Sequence, residues 1–313
     1  MKNLLRKILI GNTGIMEYST ITVQAGIKEK VFLQMNRKMI DISQNQWVLC
    51  LEPVVFGVWI RDKEQITAID AKKSFKIFFT DGMGSKGMGK KLAVAALSYY
   101  DKIEEEQGTL FLLRLEKSRL FHLNFLKVFL LYYRYYKKPH FSFKKFKSFV
   151  SAYSYPRKVN IISFRQGNYY NIFPMDLTGE PGQANRFVFG LRHTNLALPK
   201  IIESRKMVKS DVSFEHKDII YQLGKHHGSL PPPLEALPFP IMETEEFGFY
   251  IPSWVEKYRE IEIIKTISLG SHMLLWGKSV NEKILKNPLG HLFHIHFLLY
   301  IYQQRRGLSY PLV

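Results

Sequence analysis

The chain has 313 residues, of which 46% are hydrophobic and 14% are aromatic, and its formal net charge is +18. This length allows one large domain or two ordinary ones, and the composition is that of a folded globular protein. The single cysteine, Cys50, excludes an intramolecular disulfide and favours a reducing compartment, with the cytoplasm as the expected location. The N-terminal stretch MKNLLRKILIGNTG has no small-residue cleavage pattern and makes a poor signal peptide.

The positive charge is concentrated in one central segment. Between Lys117 and Met175 the sequence has no Asp or Glu and twelve basic residues. These are Lys117, Arg119, Lys127, Arg134, Lys137, Lys138, Lys144, Lys145, Lys147, Arg157, Lys158 and Arg165. We call residues 117–165 the basic segment, and its charge favours an anionic partner.

Taken in chain order, the N-terminal part predicts strands first and helices later. Short runs rich in β-branched and aromatic residues predict several strands over residues 18–80. Residues 88–106 are predicted to form a helix, residues 109–116 a strand, and residues 118–137 a second helix. Pro139 should end that helix.

The stretch GMGSKGMGKK, residues 82–91, has part of the spacing of a phosphate-binding loop. From Gly84 the pattern is Gly, four residues, Gly89 and Lys90. Lys91 then stands where such a loop needs Ser or Thr to hold magnesium. The alternative dinucleotide fingerprint would need a ribose-binding acid from residues 104–106, which lie at the polar end of the predicted helix. We therefore interpret the stretch as a basic turn between a strand and a helix.

The second predicted helix is amphipathic. On a helical wheel its basic residues share one face, and Leu, Phe, Val and Tyr occupy the rest. No uncharged run approaches the roughly 20 residues that cross a bilayer. Three interpretations stay open: packing against the rest of the protein or a second subunit, contact with an anionic membrane, or binding of nucleic acid.

Beyond this helix the pattern changes, and we place a boundary between an α+β N-terminal region, residues 1–140, and a C-terminal domain, residues 141–313. The stretch FSFKKFKSFVSAYS predicts a short helix. Two strands around a turn at Gly167 and Asn168, a further strand RFVFGLRHT and a helix LALPKIIESRKMVKS follow. A late hairpin and a C-terminal helical extension complete a pattern that is typical of a small closed β-barrel.

Four stretches of the C-terminal domain occur in a characteristic order. They are the Phe-rich helix followed by Tyr155 and Pro156, the strand NIFPMDLT, the segment LRHTN before a helix, and Gly270-Ser271-His272 before a late strand. Their order and spacing resemble the flavin reductase-like family over residues 141–285. The resemblance implies a mainly β fold with α elements, a Greek-key split β-barrel that binds FMN, preceded by the α+β region.

The resemblance implies that the strand NIFPMDLT and its following loop lie along the flavin ring. Pro174 cannot donate to a β-ladder and must sit at an edge or a break, which leaves backbone groups free for a ligand. The polar cluster at residues 192–195 is implied to bind the flavin phosphate, with Arg192 and Thr194 first. The expected cofactor-binding residues are Asn171, Phe173, Pro174, Met175, Asp176, Leu177, Thr178, Arg192, His193, Thr194 and Asn195.

His272 matches a position that the family places near the nicotinamide side of the flavin. The family often has Gly-Asp-His there, and Ser271 departs from that pattern. The pair His226-His227 and the residues His291, His294 and His296 lack the ligand spacing of a metal site, so none is expected.

No Ser-His-Asp set and no paired acids can be defended as catalytic, and a bound flavin does not require them. The sequence therefore predicts an FMN-binding flavoprotein, an NAD(P)H:flavin oxidoreductase that the family resemblance implies is a homodimer. The alternative is a non-enzymatic protein that binds flavin or uses the basic segment to contact membrane or nucleic acid.

Overall fold

The computed structural model describes the chain except residues 1–17, 24, 25, 36, 37, 71–73, 85, 86, 183, 184, 225–228, 289 and 309. Most of its regular structure is strand. In the first half of the chain the strands are β1 (Tyr18–Val23), β2 (Lys30–Met35), β3 (Lys38–Asp41), β4 (Gln46–Leu51), β5 (Val54–Ile60), β6 (Ser74–Thr80), β7 (Met83–Gly84), β8 (Gly87–Met88), β9 (Lys91–Glu105) and β10 (Gly108–Leu120). In the second half they are β11 (Arg157–Lys158), β12 (Asn160–Gln166), β13 (Tyr169–Met175), β14 (Thr178–Gly179), β15 (Arg186–Arg192), β16 (Lys206–Asp211), β17 (Ile241–Glu243), β18 (Tyr250–Pro252), β19 (Lys257–Ser268), β20 (His272–Ile284) and β21 (His291–His296).

The helices are short and lie in the connections between strands. They are α1 (Lys63–Asp70), α2 (Phe125–Leu131) with a π-helical continuation over Tyr132–Tyr136, α3 (Phe143–Ala152), α4 (Leu198–Ser204), α5 (Lys217–Leu223) and α6 (Phe297–Gln304). Side chains that cap helix N-termini mark where α2 and α3 begin, because Asn124 and Ser142 each accept a hydrogen bond from a main-chain N–H in the first turn. The fold is mainly β with α elements and a curled, half-barrel sheet, which confirms the predicted fold class.

Two seven-stranded antiparallel sheets have the same strand order. The first sheet runs β3-β2-β6-β9-β10-β5-β4, and the second runs β13-β12-β16-β19-β20-β15-β14. Each strand of the first sheet therefore has a counterpart at the same place in the second sheet. The chain contains one topology twice, although the sequence shows no internal repeat. The boundary predicted at residue 140 falls between the two copies and stays a prediction.

A third sheet joins the two ends of the described chain. Its order is β1-β21-β11, with β1 and β21 paired antiparallel from Tyr18 opposite His296 to Val23 opposite His291. On its other side, β21 pairs with β11, where Arg157 lies opposite His294. The segment that leads into the second sheet is thus linked through β21 to the N-terminal strand.

The two large sheets pack against each other through an apolar core of their own. Trp59 and Trp276 stack with ring centroids 6.2 Å apart, and both are buried. At Gly190 a Cβ atom would lie 1.9 Å from the carbonyl oxygen of Leu49, so only glycine permits this approach of the two backbones. The two copies therefore form one continuous body.

Several predicted elements are confirmed. The region 18–80 is mostly strands, the strand predicted over 109–116 lies within β10, and the turn at Gly167 and Asn168 joins β12 to β13. The late hairpin is β19 and β20, and α6 is the predicted C-terminal helix.

The helix predicted over residues 88–106 is wrong, because Lys91–Glu105 forms β9. This strand pairs with β6 on one side and with β10 on the other. Its Ala, Leu and Glu residues favour a helix in isolation, but the two ladders and the burial of alternate side chains override that preference.

Two other predicted helices are shorter than expected. Residues 118–120 belong to β10, so Arg119 lies on a strand and the helical segment runs only over residues 125–136. The helix at LALPKIIESRKMVKS ends at Ser204, because Arg205 adopts a left-handed conformation with φ of 57° and β16 begins at the next residue, Lys206.

The glycine-rich stretch does not lead into a helix. It contains the paired strands β7 and β8, and its base is closed by hydrogen bonds from Gly89 N to Gly82 O at 2.8 Å and from Lys90 N to Asp81 Oδ1 at 2.8 Å. The expected strand-to-helix turn is therefore a hairpin excursion between β6 and β9. No helix N-terminus follows it to attract a phosphate.

Candidate functional site

A cavity of about 370 Å³ lies where the two sheets and the third sheet meet. The first half of the chain lines it with Ile27, Ser43, Gln44, Gln46 and Trp47, and the second half with Tyr155, Pro156, Arg157, Lys158, Asn160, Asp176, Thr178, Gly179, Glu180 and Phe293. The segment between β3 and β4 thus meets its topological counterpart after β13. A volume of this size suits a small organic ligand, for which pockets span roughly 300–1,000 Å³.

Arg157 is the central charged residue of the cavity wall. Its side chain is buried, Nε and Nη2 donate to the carbonyl oxygen of Ala152 at 3.1 and 3.0 Å, and Nη1 donates to Gln46 Oε1 at 2.8 Å. No acid forms an ion pair with it in the described part of the chain. Burial lowers the pKa of Arg157 to about 10, so it stays protonated at neutral pH. The carboxylate of Asp176, on the same cavity wall, forms no ion pair with Arg157 but acts against the effect of burial on its pKa. A buried cation whose direct hydrogen bonds go only to neutral oxygens is a candidate binding site for an anion.

The acidic wall residue Glu180 is compensated by cations behind it. Lys209 Nζ lies 2.8 Å from Glu180 Oε1, and Arg259 Nη1 lies 3.3 Å from the same oxygen. Burial alone would raise the pKa of Glu180, but the two cations together lower it, so the carboxylate is charged and paired. Its negative charge therefore does not cancel that of Arg157.

Lys158 is less available than Arg157 to bind a ligand in the cavity. Its Nζ lies 3.1 Å from Asp211 Oδ2, and Asp211 also accepts from Lys209 at 2.7 Å. The pKa of Asp211 is held far below its usual range, against the effect of burial, by Lys209 and Lys158. Lys158 is thus committed to this buried ion cluster.

The rest of the lining supplies a flat aromatic side chain and polar atoms. The indole of Trp47 lies against Gly179, where a Cβ atom would come within 2.4 Å of the ring. Three buried atoms make no hydrogen bond among the described residues: Gln46 Nε2, Tyr155 OH and Asn160 Oδ1. Such atoms are costly unless a ligand or water satisfies them.

Asp176 lines the cavity and begins a chain of hydrogen bonds that leads away from it. His294 Nδ1 lies 2.8 Å from Asp176 Oδ2, and His294 Nε2 lies 2.6 Å from the hydroxyl of Tyr221, which also contacts Thr20 Oγ1. Tyr18 stacks on the His294 ring at 5.0 Å. The cavity wall is therefore coupled to the partly exposed hydroxyl of Tyr221.

The predicted ring-binding stretch is only partly at the cavity. Asp176 and Thr178 line it, and Asn160 Nδ2 donates to Thr178 Oγ1 at 2.8 Å. The side chains of the other residues point elsewhere: Asn171 is buried, and Phe173, Met175 and Leu177 belong to the main apolar core. Pro174 lies on β13, which is an edge strand, as its missing N–H requires.

The predicted phosphate-binding cluster lies away from the cavity. Arg192, His193 and Thr194 are exposed at the end of β15. Asn195 is buried, and its Oδ1 accepts from Ala197 N at 2.8 Å, so it shapes the turn that leads into α4. Their assignment as phosphate ligands stays a prediction.

His272 lies in the contact between the two large sheets. It is buried, with Nδ1 at 2.8 Å from Ser271 Oγ and 3.5 Å from Cys50 Sγ. Ser271 N donates to the carbonyl oxygen of Glu52 at 2.8 Å. The nicotinamide-side role of His272 stays a prediction.

Sequence reasoning missed the residues that the first half contributes. No motif connects residues 43–47 with residues 176–180, and only the paired topology brings them together. Arg157 directly follows Tyr155-Pro156, which the family resemblance includes. Its place beside that motif is the sequence feature that points to it.

Two other features complete the survey of the described residues. They contain no group of three or more His, Cys, Asp or Glu side chains that could hold a metal ion. The pair His226-His227 lies outside them. No helix in the described ranges has the length and apolar character needed to span a membrane.

Comparison with known proteins gives structural neighbours only. No protein-family model and no curated protein matches the sequence. An FMN-binding protein from Thermus thermophilus is 19% identical with a TM-score of 0.37, over 42% of this chain and 73% of its own. The NADH:FAD oxidoreductase of Streptomyces globisporus is 13% identical with a TM-score of 0.38, over 44% and 81%. The flavin reductase PheA2 is 16% identical with a TM-score of 0.37, over 45% and 90%. At these values of identity and TM-score the comparisons do not assign a function.

Proposed function

We propose that this chain is a flavin-dependent oxidoreductase that binds FMN in the cavity between its two sheets and takes electrons from NAD(P)H. The observation that carries the proposal is Arg157, a buried guanidinium that lines the cavity and forms no ion pair with any described residue, Asp176 acting on it only from a greater distance. A flavin phosphate would supply the missing negative charge through charge-assisted hydrogen bonds.

The remaining lining fits the other parts of a flavin. Trp47 offers an aromatic surface for a flat ring, and ring systems of this kind pack favourably on indole. Gln46, Tyr155 and Asn160 line the same cavity and give its wall a polar character beside the ring. The lining of the cavity therefore suits a flavin in its chemistry as well as in its volume.

A bound flavin would supply the hydride chemistry, and the chain would hold it and control access. Arg157 would orient the anionic end, while the stacked sheets would keep water from the opposite wall. Asp176 would keep His294 in one orientation, with Tyr221 at the far end of the hydrogen-bonded chain. The family resemblance places the flavin near a contact between two subunits. In this chain the two copies of the repeated topology would provide a similar contact between sheets within one molecule. A homodimer of the whole chain and a cytoplasmic location stay predictions.

The turn at Arg192 and Thr194 is the competing location for the phosphate. A matched pair of substitutions separates the two locations, because Arg157 lines the cavity and Arg192 is exposed at the end of β15. Titration of FMN into purified protein, followed by flavin fluorescence and by the melting temperature, should show at least about tenfold weaker binding for Arg157→Met. Arg192→Met should bind FMN as the wild type does.

A loss confined to Arg192→Met would move the phosphate to the turn before α4. The absence of any FMN-dependent change in fluorescence or melting temperature in the wild type would reject a flavin site altogether. Melting temperatures without FMN control for misfolding of the variants.

Redox activity is tested separately from binding. Anaerobic addition of NADH or NADPH to the FMN complex should bleach the flavin absorbance. An unchanged spectrum with both donors would favour the non-enzymatic alternative, in which the chain stores or carries flavin.

A further inference from the structure

One face of the helical segment at residues 125–136 exposes five large apolar side chains. They are Phe125 (65% exposed), Leu126 (69%), Phe129 (40%), Leu130 (42%) and Tyr133 (58%). Their spacing places them on one side of the segment, and we call them the apolar face. The other side packs Val128, Leu131 and Tyr132 into a separate small core with α3 and α6. The segment is thus firmly seated and still presents an apolar surface to solvent.

The apolar face is surrounded by positive charge. Lys127, Arg134, Lys137 and Lys138 belong to the same segment or follow it directly, and none forms an ion pair with any residue that the structure describes. Two acids do reach the neighbouring helix α3, where Glu52 pairs with Lys145 at 3.2 Å and Glu116 interacts with Lys144. They compensate α3 and leave the cations of the helical segment without an ion pair among the described residues, although Lys137 lies over the ring of Tyr133 at 4.7 Å.

A groove of about 440 Å³ opens beside the start of α2. Its apolar walls include Phe125, Val128 and Phe143, and its basic residues are Lys117, Arg119 and Lys147. Two of these cations lie over aromatic rings, Arg119 at 5.1 Å from the centroid of Phe121 and Lys147 at 5.0 Å from that of Phe143. The groove therefore combines an apolar interior with cations at fixed positions, as a lipid with an anionic headgroup requires.

We propose that the apolar face and this groove dock the protein on the surface of an anionic lipid bilayer. The segment lies on the surface and does not cross it, since twelve residues of helix extend only roughly 18 Å. The apolar face supplies burial in the acyl boundary, and the surrounding cations attract anionic headgroups. This role is independent of the flavin proposal, because none of these residues lines the cavity between the sheets.

The positive charges around the apolar face argue against two other partners, a second copy of this chain and nucleic acid. A second copy of this chain would bring the same unpaired cations against one another, which costs free energy. Nucleic acid would satisfy the cations and could stack bases on Phe125, Phe129 and Tyr133. It would not bury Leu126 and Leu130, the fully aliphatic part of the face, in an apolar environment. Only a surface that is both apolar and anionic satisfies the whole patch.

Flotation of the full-length protein with vesicles tests the proposal. The protein should bind vesicles of phosphatidylcholine mixed with phosphatidylglycerol, bind pure phosphatidylcholine vesicles at least about tenfold more weakly, and lose binding to the mixed vesicles as salt rises. Leu126→Ser with Leu130→Ser should weaken binding to the mixed vesicles by about tenfold or more. Lys137→Ala with Lys138→Ala should lower binding and reduce its salt dependence.

Matched controls use exposed residues of the same types elsewhere. Ile264→Ser with Ile284→Ser removes two apolar side chains that are 44% and 65% exposed on β19 and β20, and Lys265→Ala removes an exposed cation. These variants should float as the wild type does.

Three results would overturn the proposal. They are equal binding to neutral and anionic vesicles, wild-type flotation of the Leu126 and Leu130 double variant, and a failure of the wild type to bind anionic vesicles. A dimer that the double variant abolishes, without vesicle binding, would assign the face to a second copy. Salt-sensitive binding to single-stranded oligonucleotides, again without vesicle binding, would assign it to nucleic acid.

Discussion

Arg157 of the second half donates from Nη1 to both oxygens of Gln46 in the first half, at 2.8 Å to Oε1 and 3.3 Å to the main-chain oxygen. This contact links a buried cation on β11, just before the second copy of the repeated topology, to the start of strand β4 in the first copy. The proposed anion site therefore depends on both halves of the chain.

Gln46→Ala should lower the free energy of unfolding by about 1.5–3 kcal/mol, because it removes a hydrogen bond to a buried charged group. Gln44→Ala is the control, since Gln44 lines the same cavity but is exposed. Urea unfolding of both variants measures the difference. Equal stability of the two would show that the Arg157 contact contributes nothing to the fold.

Gly190→Ala should separate the two large sheets. The added Cβ would meet the main-chain oxygen of Leu49 at 1.9 Å, and relief of such overpacking typically costs about 1–3 kcal/mol or more. Gly224→Ala is the control, because its added Cβ would make an ordinary contact of 3.4 Å with Pro174. Thermal melting should give a clear fall for Gly190→Ala and little change for the control. A wild-type melting temperature for Gly190→Ala would mean that the sheets are not in close contact there.

The buried ion cluster predicts a fall in stability in acid. The folded pKa of Asp211 lies below its unfolded value, because Lys209 and Lys158 outweigh the effect of burial. A depressed carboxyl pKa gives stability that is complete at neutral pH and is lost as pH falls below about 4. Asp211→Asn should therefore destabilise the protein at pH 7 by about 3–5 kcal/mol. Because the folded pKa lies far below 3, the difference from wild type should shrink by only about 1 kcal/mol at pH 3. Unfolding curves at the two pH values check the sign, and a constant difference would contradict it.

The buried His122 should also lower the stability of the fold in acid, at higher pH values than Asp211 does. Burial lowers its pKa to about 3, and Ser154 Oγ lies 3.2 Å from its Nε2. The unfolded chain takes up a proton on this side chain near pH 6.5 while the folded chain does not, so stability falls between pH 6.5 and 3. His122→Gln should make this fall shallower by up to about 1.4 kcal/mol per pH unit.

The control for His122 is His193→Gln, at an exposed position. It should leave the slope of stability against pH at the wild-type value. If His122→Gln and His193→Gln gave the same slope as wild type, protonation of His122 would not be linked to unfolding.

Lys90→Ala with Lys91→Ala should leave FMN affinity unchanged. Neither lysine lines the cavity, and the hairpin that precedes them is closed by its own hydrogen bonds. Fluorescence titration beside Arg157→Met gives the comparison. A large loss in the lysine variant would restore a phosphate-binding role to the glycine-rich hairpin.

The sequence predicted those features of the fold that depend on local sequence patterns. The turn at Gly167 and Asn168 and the edge position of Pro174 both follow from the backbone chemistry of glycine and proline. The helix expected over residues 88–106 failed because the pairing of β9 with two neighbouring strands is a long-range property. The approach of Trp47 to Gly179 has the same origin, and nothing near either residue in the sequence announces it.

The pairing of β1 with β21 has a consequence for the order of folding. Tyr18 finds its partner His296 only after nearly all of the chain has been synthesised. Until then the N-terminal strand has an open edge, and Arg157 in β11 lacks the strand that positions it beside the cavity. Such distant contacts slow folding and expose unpaired edges during it. The first seven-stranded sheet can assemble early, whereas the wall of the cavity around Arg157 becomes complete only at the last step.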